Sequence, residues 1–320
     1  MKHIFIINPK AGKGDGVSRI YDMADILRDK HGLDVSCILT QSRGHATEIT
    51  RQLAQSGDEF RFYACGGDGT INEVANGIAG FPNAAMTAIP IGTGNDFLKN
   101  FGKDAEKFRD AENLFDGPVT ELDLIDCNGR LALTIACSGI DARVAADVHK
   151  FSTRPFLDGK SSYIAAVALN VVFKHLTSHW TISLDGKQYT GRFTLAAVCN
   201  GRYYGGGFMP VAEASMTDGV LNTLVVGGIT RAVFARFVGP YSKGDYHKFP
   251  KYARCIAAKE VRITSDTEDI ATCLDGETIL SRDVTFQLSD RKLRFFAPAG
   301  ANPDATVRPP VTENSDKSKQ

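Results

Sequence analysis

The sequence predicts an α/β domain with a mainly parallel sheet, followed by an antiparallel, β-rich domain of sandwich-like type. Three observations predict it. Over roughly the first 125 residues, strand-like and helix-like patterns alternate across short glycine-rich joints, as they do in a parallel sheet with helical crossovers. Beyond them come short β-type runs, some separated by turn dipeptides such as Asp185-Gly186 and Asp275-Gly276. A chain of 320 residues with 43% apolar side chains is also long enough for about two cored domains.

The elements follow in order. Ile4–Ile7 is a short apolar run that reads as a first buried strand and stops at Asn8-Pro9-Lys10-Ala11-Gly12. Ile20, Met23, Ala24 and Leu27 recur at spacings of three and four, as the buried side of a helix does. Asp34–Thr40 is a second strand and His45–Gln55 a second amphipathic helix. Arg61–Cys65 is a third strand feeding Gly66-Gly67-Asp68-Gly69-Thr70, Ile71–Ile78 is helical, and Met86–Ile91 is a fourth strand before Gly92-Thr93-Gly94. In the second half Leu131–Ser138, Trp180–Leu184, Arg192–Asn200, Leu221–Val226, Glu260–Thr264 and Val284–Leu288 read as strands, with Tyr163–His175 the one clearly helical piece. Residues 301–320 contain no Leu, Ile or aromatic residue and three prolines, and read as a disordered tail. The expected division is 1–126, 127–300 and 301–320, with the last strand free to return to the first domain.

Composition excludes several classes. With 37 basic and 37 acidic residues the formal charge is zero, so no overall field draws the chain to nucleic acid or to an anionic membrane. No stretch approaches the ~20 apolar residues that span a bilayer. The best candidate, Tyr163–Phe173, is interrupted by Asn170 and reads more readily as core than as a lipid-facing helix. Seven scattered cysteines without a CxxC pair indicate neither a disulfide framework nor a zinc ribbon, so a reduced cytoplasmic protein is expected. His175 and His179 are four apart, but Leu176 stands where a zinc-protease pattern needs glutamate, and both read as solvated or core histidines.

The 31 glycines exceed the roughly 7% of ordinary proteins. Many fall into four loops, at 12–16, 66–69, 92–94 and 205–207, and the first three follow predicted strands, on the edge where α/β sheets bind ligands. Neither common phosphate cradle is present: Gly12-Lys13 is followed by Gly14 rather than Ser or Thr, and the third glycine position of a dinucleotide loop holds Arg19 or Asn72. In Gly66-Gly67-Asp68-Gly69-Thr70-Ile71-Asn72-Glu73, Gly66 and Gly67 let backbone approach a bulky anion and Gly69 permits positive φ. Thr70 or Asn72 can cap the helix, whose N-terminus attracts phosphate. Asp68 would repel phosphate unless a cation lies between them, which argues for a Mg²⁺-nucleotide. A plain strand-to-helix turn is the competing reading.

The string GGDGTINE, with Asn8-Pro9-Lys10-Ala11-Gly12 upstream and Ile89-Pro90-Ile91-Gly92-Thr93-Gly94-Asn95-Asp96-Phe97 downstream, resembles the diacylglycerol kinase catalytic domain family, to which sphingosine and ceramide kinases are related. Asn200-Gly201 to Gly205-Gly206-Gly207, Pro210, Ala214 and Asp218-Gly219-Val220-Leu221 resemble the family's second-domain glycine and metal-site segment, and Leu274-Asp275-Gly276-Glu277 its catalytic turn. The resemblance runs from about residue 2 to about residue 298. It implies a nucleotide-binding first domain and an ATP- and Mg²⁺-dependent kinase acting on a lipid hydroxyl at a membrane surface.

ATP is then expected on Asn8, Pro9, Lys10, Ala11, Gly12, Thr40, Gly66, Gly67, Asp68, Gly69, Thr70, Asn72, Glu73 and Thr93. Thr40 also reads as an ordinary strand terminus, and Lys10, Lys13 and Arg43 as phosphate partners or as solvated cations. Glu277 is assigned the general base, with Asp275 as partner or substitute and Asp68 as the competing candidate, preferred in the metal and phosphate network. On turn chemistry alone Asp275-Gly276 reads as a plain hairpin turn, and only the resemblance gives it a catalytic role. Ser215, Asp218 and Val220 form a candidate structural cation site, or another Asp-Gly turn. An NAD kinase and a non-catalytic nucleotide-sensing protein are the alternatives. A monomer and a homodimer both remain open, as does the choice among diacylglycerol, phosphatidylglycerol and a sphingoid base.

Overall fold

The computed structural model describes residues 1–12, 15–92, 95–152 and 175–309. In chain order the first half runs β1 (Lys2–Ile7), α1 (Gly16–His31), β2 (Asp34–Leu39), α2 (His45–Ala54), β3 (Phe60–Gly66), α3 (Asp68–Ile78), β4 (Ala84–Pro90), α4 (Asp96–Lys99) and β5 (Val119–Leu122). The second half runs β6 (Ile125–Cys127), β7 (Arg130–Ala132), β8 (Ile135–Gly139), α5 (Ile140–Ser152), β9 (Ser178–Leu184), β10 (Lys187–Cys199), β11 (Leu221–Gly227), α6 (Arg231–Tyr241), β12 (Ala253–Ala258), β13 (Glu260–Thr264), β14 (Ile270–Leu274), β15 (Glu277–Ser281), β16 (Asp283–Leu288) and β17 (Leu293–Phe296).

β1 lies between β2 and β3, and β4 pairs with β3, all in parallel. β1, β3 and β4 are covered on both faces and read as near-continuous apolar runs for that reason. α1 stops at Gly32, which takes the left-handed conformation at φ 65°, with Arg28, Lys30 and His31 in the last turn against the negative end of the helix dipole. β17 enters this sheet from the far end of the chain, parallel to β4 and antiparallel to β5, giving the order β2-β1-β3-β4-β17-β5. Its Phe295 packs among Phe97, Phe101 and Phe108 with ring centroids 5.1, 5.6 and 6.0 Å away. That aromatic contact gives the chain an energetic reason to return.

The second sheet is antiparallel throughout, in the order β15-β14-β8-β10-β9-β13-β16-β6-β7, with β11 also pairing β10 and carrying β12. One apolar cluster joins Cys137, Leu195 and Cys273 to Phe234 and Phe237 of α6; another gathers Trp180, Ile182, Val261 and Phe286. The mainly parallel sheet and the antiparallel β-rich sheet are those expected from the sequence. No helix among the described residues is long and apolar enough to cross a membrane.

Several elements differ from expectation. α5 and α6 were not anticipated. In α5 the buried Ile140, Ala142 and Val144 alternate at the period of a strand, and α6 contains Gly239 and Pro240. Of the helix expected over Tyr163–His175, all but His175 lies outside the described residues. Leu131–Ser138 is two strands, β7 and β8, because Leu133 and Thr134 turn their backbone to other partners: Asn200 Nδ2 donates to Leu133 O at 2.7 Å and Asn200 N to Thr134 O at 2.8 Å. His179 belongs to β9, so it shares no helix face with His175. Residues 301–309 lack apolar residues able to form a core, yet they are held by polar contacts. The fully buried Arg202 donates to Pro303 O (2.7 Å) and Thr306 Oγ1 (3.0 Å), and Arg308 N donates to Ala212 O (3.0 Å).

α2 and α3 approach closely at Gly77, where an added Cβ would fall on Thr50 Oγ1 and lie 2.9 Å from the Thr47 carbonyl oxygen. The Thr47 backbone cannot yield as a side chain can. Gly77→Ala should therefore destabilise the protein by about 2 kcal/mol, the usual cost of overpacking, read as a lower urea midpoint with an unchanged slope.

Candidate functional site

A cleft of about 610 Å³ opens where the C-terminal ends of the parallel strands meet the β14–β15 turn of the second sheet. The segment after β1 forms one wall. Asn8 Oδ1 accepts from Lys10 N at 3.0 Å and its Nδ2 donates to Thr70 Oγ1 at 3.3 Å, so one side chain shapes the loop and ties it to α3. Gly12 has φ 78°, and a Cβ there would lie 2.5 Å from Ile91 O. Glycine is therefore required at this position both by conformation and by space.

α3 begins at Asp68 immediately after Gly67, and no side chain caps it. Gly67, Gly69 and Thr70 face the cleft, presenting an uncapped helix N-terminus to whatever fills it. Two local expectations are corrected. Gly69 lies within the first helical turn and does not take positive φ. Neither Thr70 nor Asn72 caps the helix; Thr70 receives the bond from Asn8 instead. Gly66 is needed because a Cβ there would strike the Thr70 side chain.

The acidic residues of these loops are committed to holding backbone. Glu73 Oε1 and Oε2 accept from Gly44 N (2.9 Å) and Ala46 N (3.3 Å), satisfying the start of α2. Asp68 does not line the cleft. Its two oxygens accept from Asp96 N and Phe97 N, each at 3.1 Å, and burial pushes its carboxyl up against the opposite effect of those bonds. Asp96 in turn accepts from Gly206 N at 2.6 Å and from Lys99 Nζ at 2.5 Å, linking the 205–207 glycine loop to the segment after β4.

The β14–β15 connection is a two-residue hairpin with Asp275 at φ 40° and Gly276 at φ 93°. Asp275 Oδ2 accepts from Leu133 N (2.6 Å) and Asn72 Nδ2 (2.9 Å), and Oδ1 accepts from Thr134 Oγ1 (3.0 Å). Burial raises its carboxyl above the ordinary range, and these donors pull it back down. Glu277 lines the same cleft and is ion-paired with Arg43, from the loop after β2, and with Arg130 at the start of β7.

The structure thus brings Asn8, Lys10, Ala11, Gly12, Thr40, Gly67, Gly69, Thr70, Asn72, Glu73, Asp275 and Glu277 together around one cavity. Pro9, Gly66 and Asp68 stand behind its wall, and Thr93 lies outside the described residues. Gln41, Ser42, Ala46 and Gly92 also line it; Gly92 belongs to the 92–94 glycine loop and Ala46 to the second helix, while Gln41 and Ser42 had no signal beyond following a strand end. Arg130 carried no signal; β7 and β15 stand at opposite ends of the sheet order, and only the tertiary fold sets it beside Glu277. Ser215, Asp218 and Val220 lie elsewhere. Ser215 Oγ donates to Asp304 Oδ2 (2.8 Å), Asp218 Oδ1 accepts from Val220 N (3.2 Å), and burial followed by the nearby charges of Asp123 and Asp304 raises the Asp218 carboxyl.

The diacylglycerol kinase catalytic domain profile matches residues 2–127, and that of the YegS C-terminal NAD kinase beta sandwich-like domain matches residues 134–297, more than half of the chain. The chain belongs to the diacylglycerol kinase catalytic domain family. A protein named "Putative lipid kinase" from Staphylococcus carnosus (strain TM300) is 24% identical over 297 residues, which is 92% of this chain and 95% of that protein. A crystal structure titled as a "putative diacylglycerol kinase" from Bacillus anthracis str. Sterne superposes with a TM-score of 0.73 at 24% identity, covering 94% of this chain and 98% of the other. A second structure of a diacylglycerol kinase from the same organism gives 0.67 at 22% identity over the same shares. Both structures share the fold. In this member of the family the cleft draws on both matched regions, with Asp275 and Glu277 contributed by the second.

The folded-state pKa of Asp275 is above its unfolded value, so the folded protein binds that proton more tightly. Stability then falls as pH rises from the ordinary carboxylate range through the raised value. Asp275→Asn removes this slope and mispairs at least one buried donor, at a cost of about 2 kcal/mol. Urea unfolding across a pH series should show a lower midpoint and a flatter acid-side profile for the variant.

Proposed function

We propose that the protein is an ATP-dependent lipid kinase that transfers the γ-phosphate to a hydroxyl of diacylglycerol or a similar glycerolipid. The observation that carries the reading is the meeting of Glu277 with the glycine loops of the first sheet in one cleft. Phosphoryl transfer is mainly positioning and charge stabilisation, with a group to take the acceptor proton. The β1 and β3 loops and Thr40 hold the nucleotide, and the α3 N-terminus faces its phosphates. Lys10 and Arg43, both lining the cleft, offset phosphate charge. Glu277 takes the proton of the lipid hydroxyl. Asp275 serves as its positioning partner, since its oxygens already accept three bonds. Asp68 acts through the Asp96–Phe97 backbone rather than on phosphate.

Magnesium is implied by the family, and the described residues do not offer it a protein cage. No three His, Cys, Asp or Glu side chains among them gather as a metal group. The carboxylates of Glu73, Asp275 and Glu277 are each engaged by protein donors. No step is therefore assigned to a resident metal, and any Mg²⁺ arriving with ATP would keep phosphate and water ligands. A cation at Ser215, Asp218 and Val220 would have to displace the Ser215–Asp304 bond, and no role is built on it.

The test is incubation of the purified protein with labelled ATP, Mg²⁺ and mixed micelles of a lipid extract, with the product identified by mass. A phosphorylated lipid is expected, and Glu277→Gln should lower its formation on the order of 10²-fold or more with the fold intact. Absence of labelled lipid from folded protein, or NADP⁺ formed when NAD⁺ is the acceptor, would overturn the reading.

A further inference from the structure

Two of the seven cysteines, Cys137 on β8 and Cys273 on β14, stand directly opposite each other in the antiparallel register. Both are free, and both are buried in the apolar cluster that also holds Ile140, Ala142 and Val144 of α5. Directly opposed residues place their Cβ atoms about 4.5–5.5 Å apart. A disulfide needs about 3.5–4.5 Å. An approach of the two strands by roughly 1 Å therefore closes the bond. The two thiols influence one another across the strands. That interaction, helped by the Gly276 N–H, lowers the Cys273 thiol below its ordinary range, while the same interaction and burial raise Cys137 well above it.

The position of the pair in the fold gives it a consequence. Cys273 precedes Asp275 by two residues, at the end of the strand that feeds the catalytic hairpin. β8 begins at Ile135, directly after Leu133 and Thr134, whose N–H and hydroxyl hold the Asp275 carboxylate. The two strands that a disulfide would draw together are the two that Asp275 ties at the cleft.

We propose that Cys137 and Cys273 form an oxidation site, at which a peroxide closes a cross-strand disulfide that shifts the Asp275–Glu277 turn and lowers turnover. The turnover readout rests on the kinase reading; the disulfide itself does not. The Cys273 thiolate attacks one peroxide oxygen, the O–O bond breaks, and water leaves with a sulfenic acid on Cys273. The Cys137 sulfur then attacks that sulfur, forming the S–S bond and releasing a second water. Two thiols are oxidised by two electrons and one hydrogen peroxide is reduced to two waters.

The experiment treats the folded full-length protein with hydrogen peroxide, then maps disulfide-linked peptides by mass and assays lipid phosphorylation before and after dithiothreitol. A Cys137–Cys273 peptide is expected, with turnover down by about tenfold or more, since misplacement of reacting groups by 1 Å can cost on the order of 10²-fold. Reductant should restore it. Cys137→Ala should keep its basal turnover and resist peroxide, with Cys137→Ser as the second variant should the first fail to fold. The proposal is overturned if folded, oxidised protein yields no such peptide, or links either residue to Cys199 of the same cluster. It is also overturned if the disulfide forms without loss of turnover, or if the loss persists in the Cys137 variants. If the reduced protein phosphorylates no lipid, the kinase reading falls, while peptide masses still decide whether the disulfide forms.

Discussion

The carboxylate of Asp275 is the constraint on which the cleft depends. It takes Asn72 from the α/β layer and Leu133 and Thr134 from the antiparallel layer, so three separate chain segments share one charge. Because the group is desolvated, each of those donors matters: a carboxylate removed from water without hydrogen bonds would simply stay protonated. The hairpin that carries it is thereby fixed relative to α3, and Glu277 is delivered to the nucleotide-type loops. Removing that anchor would leave the hairpin without its direct tie to α3.

α3 serves both partners at once. Its N-terminus faces the cleft without a cap, while Asn72 and Asn76, one turn apart, reach the second sheet. Asn76 pairs with both the N–H and the carbonyl of Leu131, each at 3.0 Å, as a neighbouring strand would. A second tie lies on the far side of the loops. Arg202, wholly buried, donates to Ala214 O, Asn100 O and Pro303 O, so the segment after β4, the 201–214 loop and the C-terminal residues are held by one guanidinium. Its fixed fork of donors suits carbonyls that point from three directions.

Most acids in the recognisable motifs satisfy backbone rather than ligand. Glu73 closes the start of α2, Asp68 the Asp96–Phe97 turn, and Asp96 the Gly206 amide. Loops that expose N–H groups toward an anion must still satisfy the amides that face inward, and short carboxylates do so with two acceptors each. Glu277 differs from them: it lines the cleft and is held by two other side chains, Arg43 and Arg130.

The alternation of Ile4–Ile7, Asp34–Thr40, Arg61–Cys65 and Met86–Ile91 with amphipathic helices was legible because the three inner strands are buried on both faces, the second is a half-exposed edge strand, and the helices bury one side. The glycine loops were legible because each ends such a strand. α5 was hidden by a strand-like alternation in its first turns, and β17 by a sheet partner, β4, that lies in the other half of the chain. Turn chemistry was equally silent on function. Asn128-Gly129, Asp185-Gly186 and Asp275-Gly276 all take the same positive-φ hairpin form, and only the last meets the cleft. The sequence by itself determined the two layers and the loops that end the parallel strands, since local periodicity and backbone freedom are short-range properties. Only the tertiary structure decided which acidic residues face the cavity and which hold backbone, because that depends on hydrogen bonds between segments that the chain order keeps far apart.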